Sequence, residues 1–190
     1  MRPRHHDSPD PAPNAMIRSL HRMLHDVTDR NGSRRRTDVD DPRLLDDLPP
    51  LLMTTTAWLL MMTDLTSRPV EAGGVLIGPS GHDAVTHYVP DLTGHATGAS
   101  FTFDHERINQ TLRQYVPLGL DAKGIAHSHP SGCLTPSLGD LDFVFDCFAT
   151  VSADDVERFY LPIVVGRRLF PYTVFRGNPL VTVCSQLILF

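Results

Sequence analysis

The chain has 190 residues, 41% of them hydrophobic, and a net charge of -5. That is enough for one core plus a tail, with no basic field to draw nucleic acid and no apolar run long enough to span a bilayer. Cys133, Cys147 and Cys184 show no CxxC spacing and cannot all pair, so reduced thiols in a cytoplasmic protein are expected, with no secretory signal at the N-terminus.

Residues 1–49 read as a flexible tail rich in Arg, Asp and Pro, with Arg34-Arg35-Arg36 followed by Asp38, Asp40 and Asp41. A short helix over 16–28 is compatible with the spacing of Ile17, Leu20, Leu24 and Val27 and with the stop at Asn31-Gly32. The folded domain is expected over 50–190. A helix spans 52–66 and ends before Pro69. Gly74–Gly78 is a buried strand, Ala84–Val89 its hairpin partner across the turn Pro79-Ser80-Gly81, and Ala99–Phe103 another strand. Asp104 caps a helix running to about Val116. Lys123–Ser128 is a strand halted at Pro130, and Ser137 opens a helix of about 14 residues by the spacing of Leu141, Val144, Phe145 and Phe148. Strands follow at Arg158–Val165, Leu169–Arg176 and Leu180–Leu189, the first two joined by Gly166-Arg167-Arg168. The last one, ending in Leu187-Ile188-Leu189-Phe190, is expected in the core; if exposed, it marks a contact with a partner. Helices among hairpin-linked strands give a mixed α+β fold.

The chemistry concentrates in Ala126-His127-Ser128-His129-Pro130, followed by Ser137 and Asp140. On a strand, residues i and i+2 share a face, so His127 and His129 project together. Two imidazoles and a carboxylate suit zinc with a fourth position left to water, and Asp140, in the first turn of the next helix, can fold back to be the third ligand. Taken singly, each feature has a structural explanation: Ser137 and Asp140 form the pattern of a capping box, and His-x-His on a strand is commonplace. The whole pattern, His-x-His-x7-Ser-x-x-Asp, arises by chance roughly a few times in a thousand chains of this composition. Hydrolysis also needs a carboxylate that takes a proton from water and returns it to the leaving amine. Of the three glutamates, Glu106 and Glu157 fall in surface elements, while Glu71 directly precedes the strand Gly73-Gly74-Val75-Leu76-Ile77-Gly78.

Glu71-Ala72-Gly73-Gly74-Val75-Leu76-Ile77-Gly78, then His127-Ser128-His129-Pro130, Ser137 and Asp140, resemble the signature of the JAMM (JAB/MPN) zinc metalloproteases, in their prokaryotic branch. Every signature position is matched over a resemblance spanning about 52–175. It implies a JAMM/MPN-like, mostly antiparallel curved sheet flanked by helices, of cytidine-deaminase-like architecture. It implies one Zn2+ per chain on His127, His129 and Asp140, with Glu71 as general base and acid. Ser137 would donate to the oxyanion, and Ser128 would point away from the metal. The implied activity is cleavage of a peptide or isopeptide bond at the C-terminus of a ubiquitin-like protein, with E1-like and E2-like proteins as associates and neither nucleic acid nor membrane as partner. Cys133, in the loop between the ligands, lies outside the family pattern, and His95 and His105 are expected at the surface. The rival readings are a metal-free MPN scaffold, which has no need of the intact ligand set, and a deaminase, whose His-x-Glu and Pro-Cys-x-x-Cys are missing.

Overall fold

The computed structural model describes residues 50–96, 101–150 and 156–190. The expected helix over 16–28, and residues 99 and 100 of the expected strand Ala99–Phe103, lie outside them. The chain forms strand β1 (Leu51–Met53), helix α1 (Thr55–Ser67), and strands β2 (Gly73–Pro79), β3 (Ala84–Val85), β4 (His87–Pro90), β5 (His95–Ala96) and β6 (Phe101–Thr102). Helix α2 (His105–Tyr115) and a single 3-10 turn lead into the long strand β7 (Leu120–His129) and helix α3 (Leu138–Thr150). Six short strands follow: β8 (Arg158–Tyr160), β9 (Ile163–Val165), β10 (Arg168–Phe170), β11 (Tyr172–Phe175), β12 (Asn178–Cys184) and β13 (Leu187–Leu189).

The main sheet is built on β7. Antiparallel ladders join β2 to β7 and β4, β9 to β10, and β11 to β8 and β12, while β8 and β9 run parallel to β7. A mixed α+β fold with a mostly antiparallel sheet is what the sequence predicts. One face of this sheet packs on α2 and α3 through Val75, Ile77, Ile125, Val144, Phe148 and Phe159. The other packs on α1 through Ala57, Met61, Leu65, Leu76, Tyr88 and Ala126. Residues 57, 61 and 65 recur every four positions, so α1 lays a single stripe against the sheet. The caps at Thr54 and Asp104 form as their side chains demand, accepting from the amides of Ala57 and Arg107.

Several boundaries differ from the periodicity reading. The helix expected from 52 begins at Thr55, because Leu51–Met53 is held as a strand between β13 and β3 in a second, parallel sheet. Such pairing partners are distant in sequence and outweigh a weak local helical tendency. The single strands expected at Arg158–Val165 and Leu169–Arg176 are each divided, at Leu161-Pro162 and at Pro171. A proline contributes no ladder N–H. The carbonyls there bond elsewhere, Pro162 to the amide of His127 at 3.3 Å and Pro171 to that of Ser185 at 2.6 Å. The expected strand Leu180–Leu189 divides likewise, at Ser185-Gln186. Its last part is no core strand: β13 pairs with β1 alone, and Ile188, Leu189 and Phe190 are exposed. Among the described residues no helix is long and apolar enough to cross a membrane.

Candidate metal centre

The β2–β7 ladder positions the site. Gly73 pairs with His127. The amide of Ser128 donates to the carbonyl of Ala72 at 2.8 Å. Glu71 stands just ahead of this ladder. Ser128 reinforces it from the α1 side: its buried hydroxyl accepts the amide hydrogen of Ala72 at 2.9 Å. Ser128 therefore points away from the two histidines, as strand alternation requires. Gly73 matters for a different reason. A Cβ there would press into the rings of Phe101 and Phe103, at 2.6 and 2.9 Å, so glycine lets these aromatics close over the strand beside His127.

His127 and His129 project together toward the start of α3, their Nε2 atoms 2.8 Å apart. Asp140 meets them, its carboxylate oxygens 3.2 Å from His127 Nε2 and 3.4 Å from His129 Nε2. All three ligand atoms lie within 4.8 Å of one another. The capping-box geometry also exists: Ser137 N–H donates to Asp140 Oδ2 at 2.6 Å, and Asp140 N–H donates to Ser137 Oγ at 3.2 Å. The two explanations of Ser137 and Asp140 thus describe a single arrangement. The cap fixes the rotamer that turns the carboxylate toward the imidazoles, and the Ser137 hydroxyl, accepting there, keeps its own hydrogen for another acceptor.

His129 Nδ1 stands 3.1 Å from the carbonyl of Cys133. Donation there leaves Nε2 with its lone pair toward the cluster. The exposed thiol of Cys133 is no member of the three-residue group, and its contribution is that backbone oxygen. His127 is buried, and its Nδ1 has no hydrogen-bond partner among the described residues. Burial works against ionisation of Asp140, yet the two imidazoles hold it well below the usual carboxylate range. Burial likewise opposes charge on His129, but the Asp140 carboxylate outweighs it and raises its pKa, with a smaller contribution from Glu71. Two nitrogens and one oxygen converging from a strand and a helix start are the donor set of a divalent transition metal, and these three residues can hold one.

Glu71 is half-buried and shares the walls of a cavity with His129 and Ser128. Ser137 is exposed at the start of α3. Glu106 and Glu157 are exposed, as expected, and so is His95. One supporting group goes unread in the sequence. Buried Asp91 accepts from the amides of Thr93, Gly94 and Asp104 and holds together both ends of the segment that carries Phe101 and Phe103. Asp-Leu-Thr-Gly is a recognisable Asx-turn pattern, but only the fold brings Asp104 to it.

A family model describing prokaryotic homologs of the JAB domain matches residues 58–167. Comparison with curated proteins gives no significant match. Among solved structures the chain is similar to protein DSY2949 from Desulfitobacterium hafniense, at 18% identity over 74% of this chain and 92% of that one, with a TM-score of 0.56. It also matches AF2198, a JAB1/MPN domain protein from Archaeoglobus fulgidus, at 18% identity over 73% of this chain and 99% of the other, TM-score 0.42. A protein from Salinibacter ruber matches at 17% identity over 74% and 92%, TM-score 0.49.

Proposed function

Since the chain belongs to the prokaryotic JAB-domain family, we propose that it is a zinc-dependent peptidase or isopeptidase that hydrolyses the amide bond at the C-terminus of a ubiquitin-like protein. The observation that carries this reading is the convergence of His127, His129 and Asp140, with Glu71 on the cavity beside them. A scaffold needs no such set. Zinc bound there supplies Lewis acidity: it polarises the scissile carbonyl and lowers the pKa of water toward ~7.

The rest falls to the chain's own groups. Glu71 takes a proton as the water oxygen adds to the carbonyl carbon. Ser137 donates its hydroxyl hydrogen to the oxygen on which negative charge develops. The C–N bond then breaks, and Glu71 returns the proton to the departing nitrogen. The products are a carboxylic acid on the ubiquitin-like protein, still carrying water's second proton, and an amine; that proton then passes to the amine to leave carboxylate and ammonium, so atoms and protons balance. The modifier's extended C-terminus is the acyl side of the substrate, and E1-like and E2-like proteins are the associates that would attach what this enzyme removes.

Two measurements test the reading. Equilibrium dialysis of the full chain against zinc should give one ion per chain. The metal-replete protein should cut a reporter peptide fused to the C-terminus of a ubiquitin-like protein, and a chelator should stop it. Glu71→Gln should keep the zinc and lose turnover by about 10³-fold or more. Normal turnover by that variant would remove Glu71 from the mechanism, and one bound zinc with no cleavage of any such fusion would leave a metal-binding domain without this activity.

A further inference from the structure

Glu71 sits in a short connection that is anchored at both ends. Helix α1 closes at Ser67, and β2 opens at Gly73. Toward β2, Ala72 is tied to Ser128 twice: its amide donates to Oγ at 2.9 Å, and its carbonyl accepts from the Ser128 amide at 2.8 Å. Toward α1, Arg68 caps the helix with an extended backbone, φ -93° and ψ 136°. Pro69, Val70 and Glu71 lie between the two anchors, and proline fixes its own φ.

The side chain of Arg68 makes the first anchor. Its Nε and Nη2 donate to Asp64 Oδ1 at 3.0 and 2.7 Å, one turn back on α1. Its Nη1 donates to the carbonyl of Asp91 at 3.0 Å. Asp91 directly follows β4, and its own amide donates to the carbonyl of Gly73 at 2.9 Å. The guanidinium thus bridges the end of α1 to the chain that borders the start of β2. Asp64 is fixed in turn, since the buried Tyr88 donates its hydroxyl hydrogen to Oδ2 at 2.8 Å. The Arg68 and Asp64 side chains are 24% and 17% exposed, so this pair is shielded from water more than an ordinary surface pair. Arg68 and Glu71 line one cavity with His129. Yet each of the three guanidinium nitrogens is committed to this chain, which suits it to holding backbone and not to meeting substrate.

We propose that Arg68 is a positioning residue for Glu71, an inference that rests on the hydrolase reading above. Arg68 fixes the point where the connection leaves α1, as Ser128 fixes the point where it joins the sheet. The carboxylate between them is thereby held where it serves as general base. Misplacing such a group by about 1 Å can lower turnover about a hundredfold.

The test uses the full, metal-replete chain and the reporter fusion, with kcat taken per bound zinc so that a misfolded fraction does not enter. Arg68→Met keeps an aliphatic stem and removes every donor. It should bind one zinc per chain, lower kcat about tenfold or more and leave KM within about twofold. Arg68→Lys puts a point charge in place of the fork and should lie between this variant and the native chain. If Arg68→Met fails to fold, Arg68→Lys carries the test, with kcat lower by about threefold or more at unchanged KM. Tyr88→Phe removes a hydrogen bond from the same network but leaves the Arg68 donors engaged; it should lower the Tm and keep kcat within about twofold. Native kcat in the Arg68 variants, a rise in KM at native kcat, or loss of zinc from them overturns the positioning role and leaves the hydrolase intact. So does an equal loss of kcat in Tyr88→Phe, which would make the network a matter of stability alone. No cleavage by the native chain takes down both readings.

Discussion

On the α3 side of β7 stand Ile125, His127 and His129; on the α1 side stand Gly124, Ala126 and Ser128. The first row begins in the apolar core and ends in the cluster that could hold a metal. The second row is small, and the backbone it meets comes close. The recorded ladder pairing of β8 with β7 is Gly124 with Tyr160, and a Cβ at Gly124 would land on the carbonyl of Tyr160. Ser128 spends its hydroxyl on the amide of Ala72. Alternation thus divides labour along one strand, with ligands presented on one face and their position set by the other. The proposed role of Glu71 depends on this second face as well, because Ser128 fastens the amide of Ala72 beside it.

The sharpest way to test this division is to remove a group from each face in turn. His127→Ala should abolish stoichiometric zinc binding and lower cleavage by about 10³-fold or more, with the fold retained. Zinc should raise the Tm of the native chain and not that of this variant. Gly124→Ala, on the opposite face, should cost about 3 kcal/mol or more by denaturant unfolding, since two backbones must separate to admit one methyl group. If Gly124→Ala left stability untouched, the close approach of β8 would be wrong. Ser128→Ala should destabilise by about 1–3 kcal/mol by stranding the amide of Ala72. It should also lower kcat more than KM through the displacement of Glu71. A Ser128→Ala protein with native kcat would mean that Glu71 is held by something else. The smallest effect is expected for Cys133→Ser, within about 0.5 kcal/mol in stability and with zinc still bound, because the residue contributes its backbone oxygen. Loss of zinc there would make the thiol a ligand and break the three-residue description.

The proposed ligands were legible in the sequence because strand and helix-cap geometry are local. The two-residue period aims His127 and His129 alike, and Ser137 and Asp140 lie three apart, the spacing of a capping box. Glu71 was legible only by its place ahead of Gly73 and by resemblance, since nothing local ties residue 71 to residue 129. The prolines at 162 and 171 were equally visible, yet their consequence depends on which strands their neighbours join. β1 escaped the reading altogether: Leu51-Leu52-Met53 has no periodicity of its own and becomes a strand only between β13 and β3.

By itself, then, the chain's sequence determined what short-range stereochemistry controls. That comprises the helix cap at Asp104, the side-by-side histidines, the turn at Gly166 with its positive φ of 59°, and a family membership carried by motif order. Tertiary structure decided what depends on partners remote in the chain. It fixed Asp104 to Asp91, left the C-terminal strand on an open edge, and gathered α1, the segment ahead of β2, the end of β7 and the β9–β10 turn around one cavity that Glu71 shares with His129. The reason is that hydrogen-bond ladders and apolar contacts reward proximity in space, whereas residue patterns register only proximity along the chain.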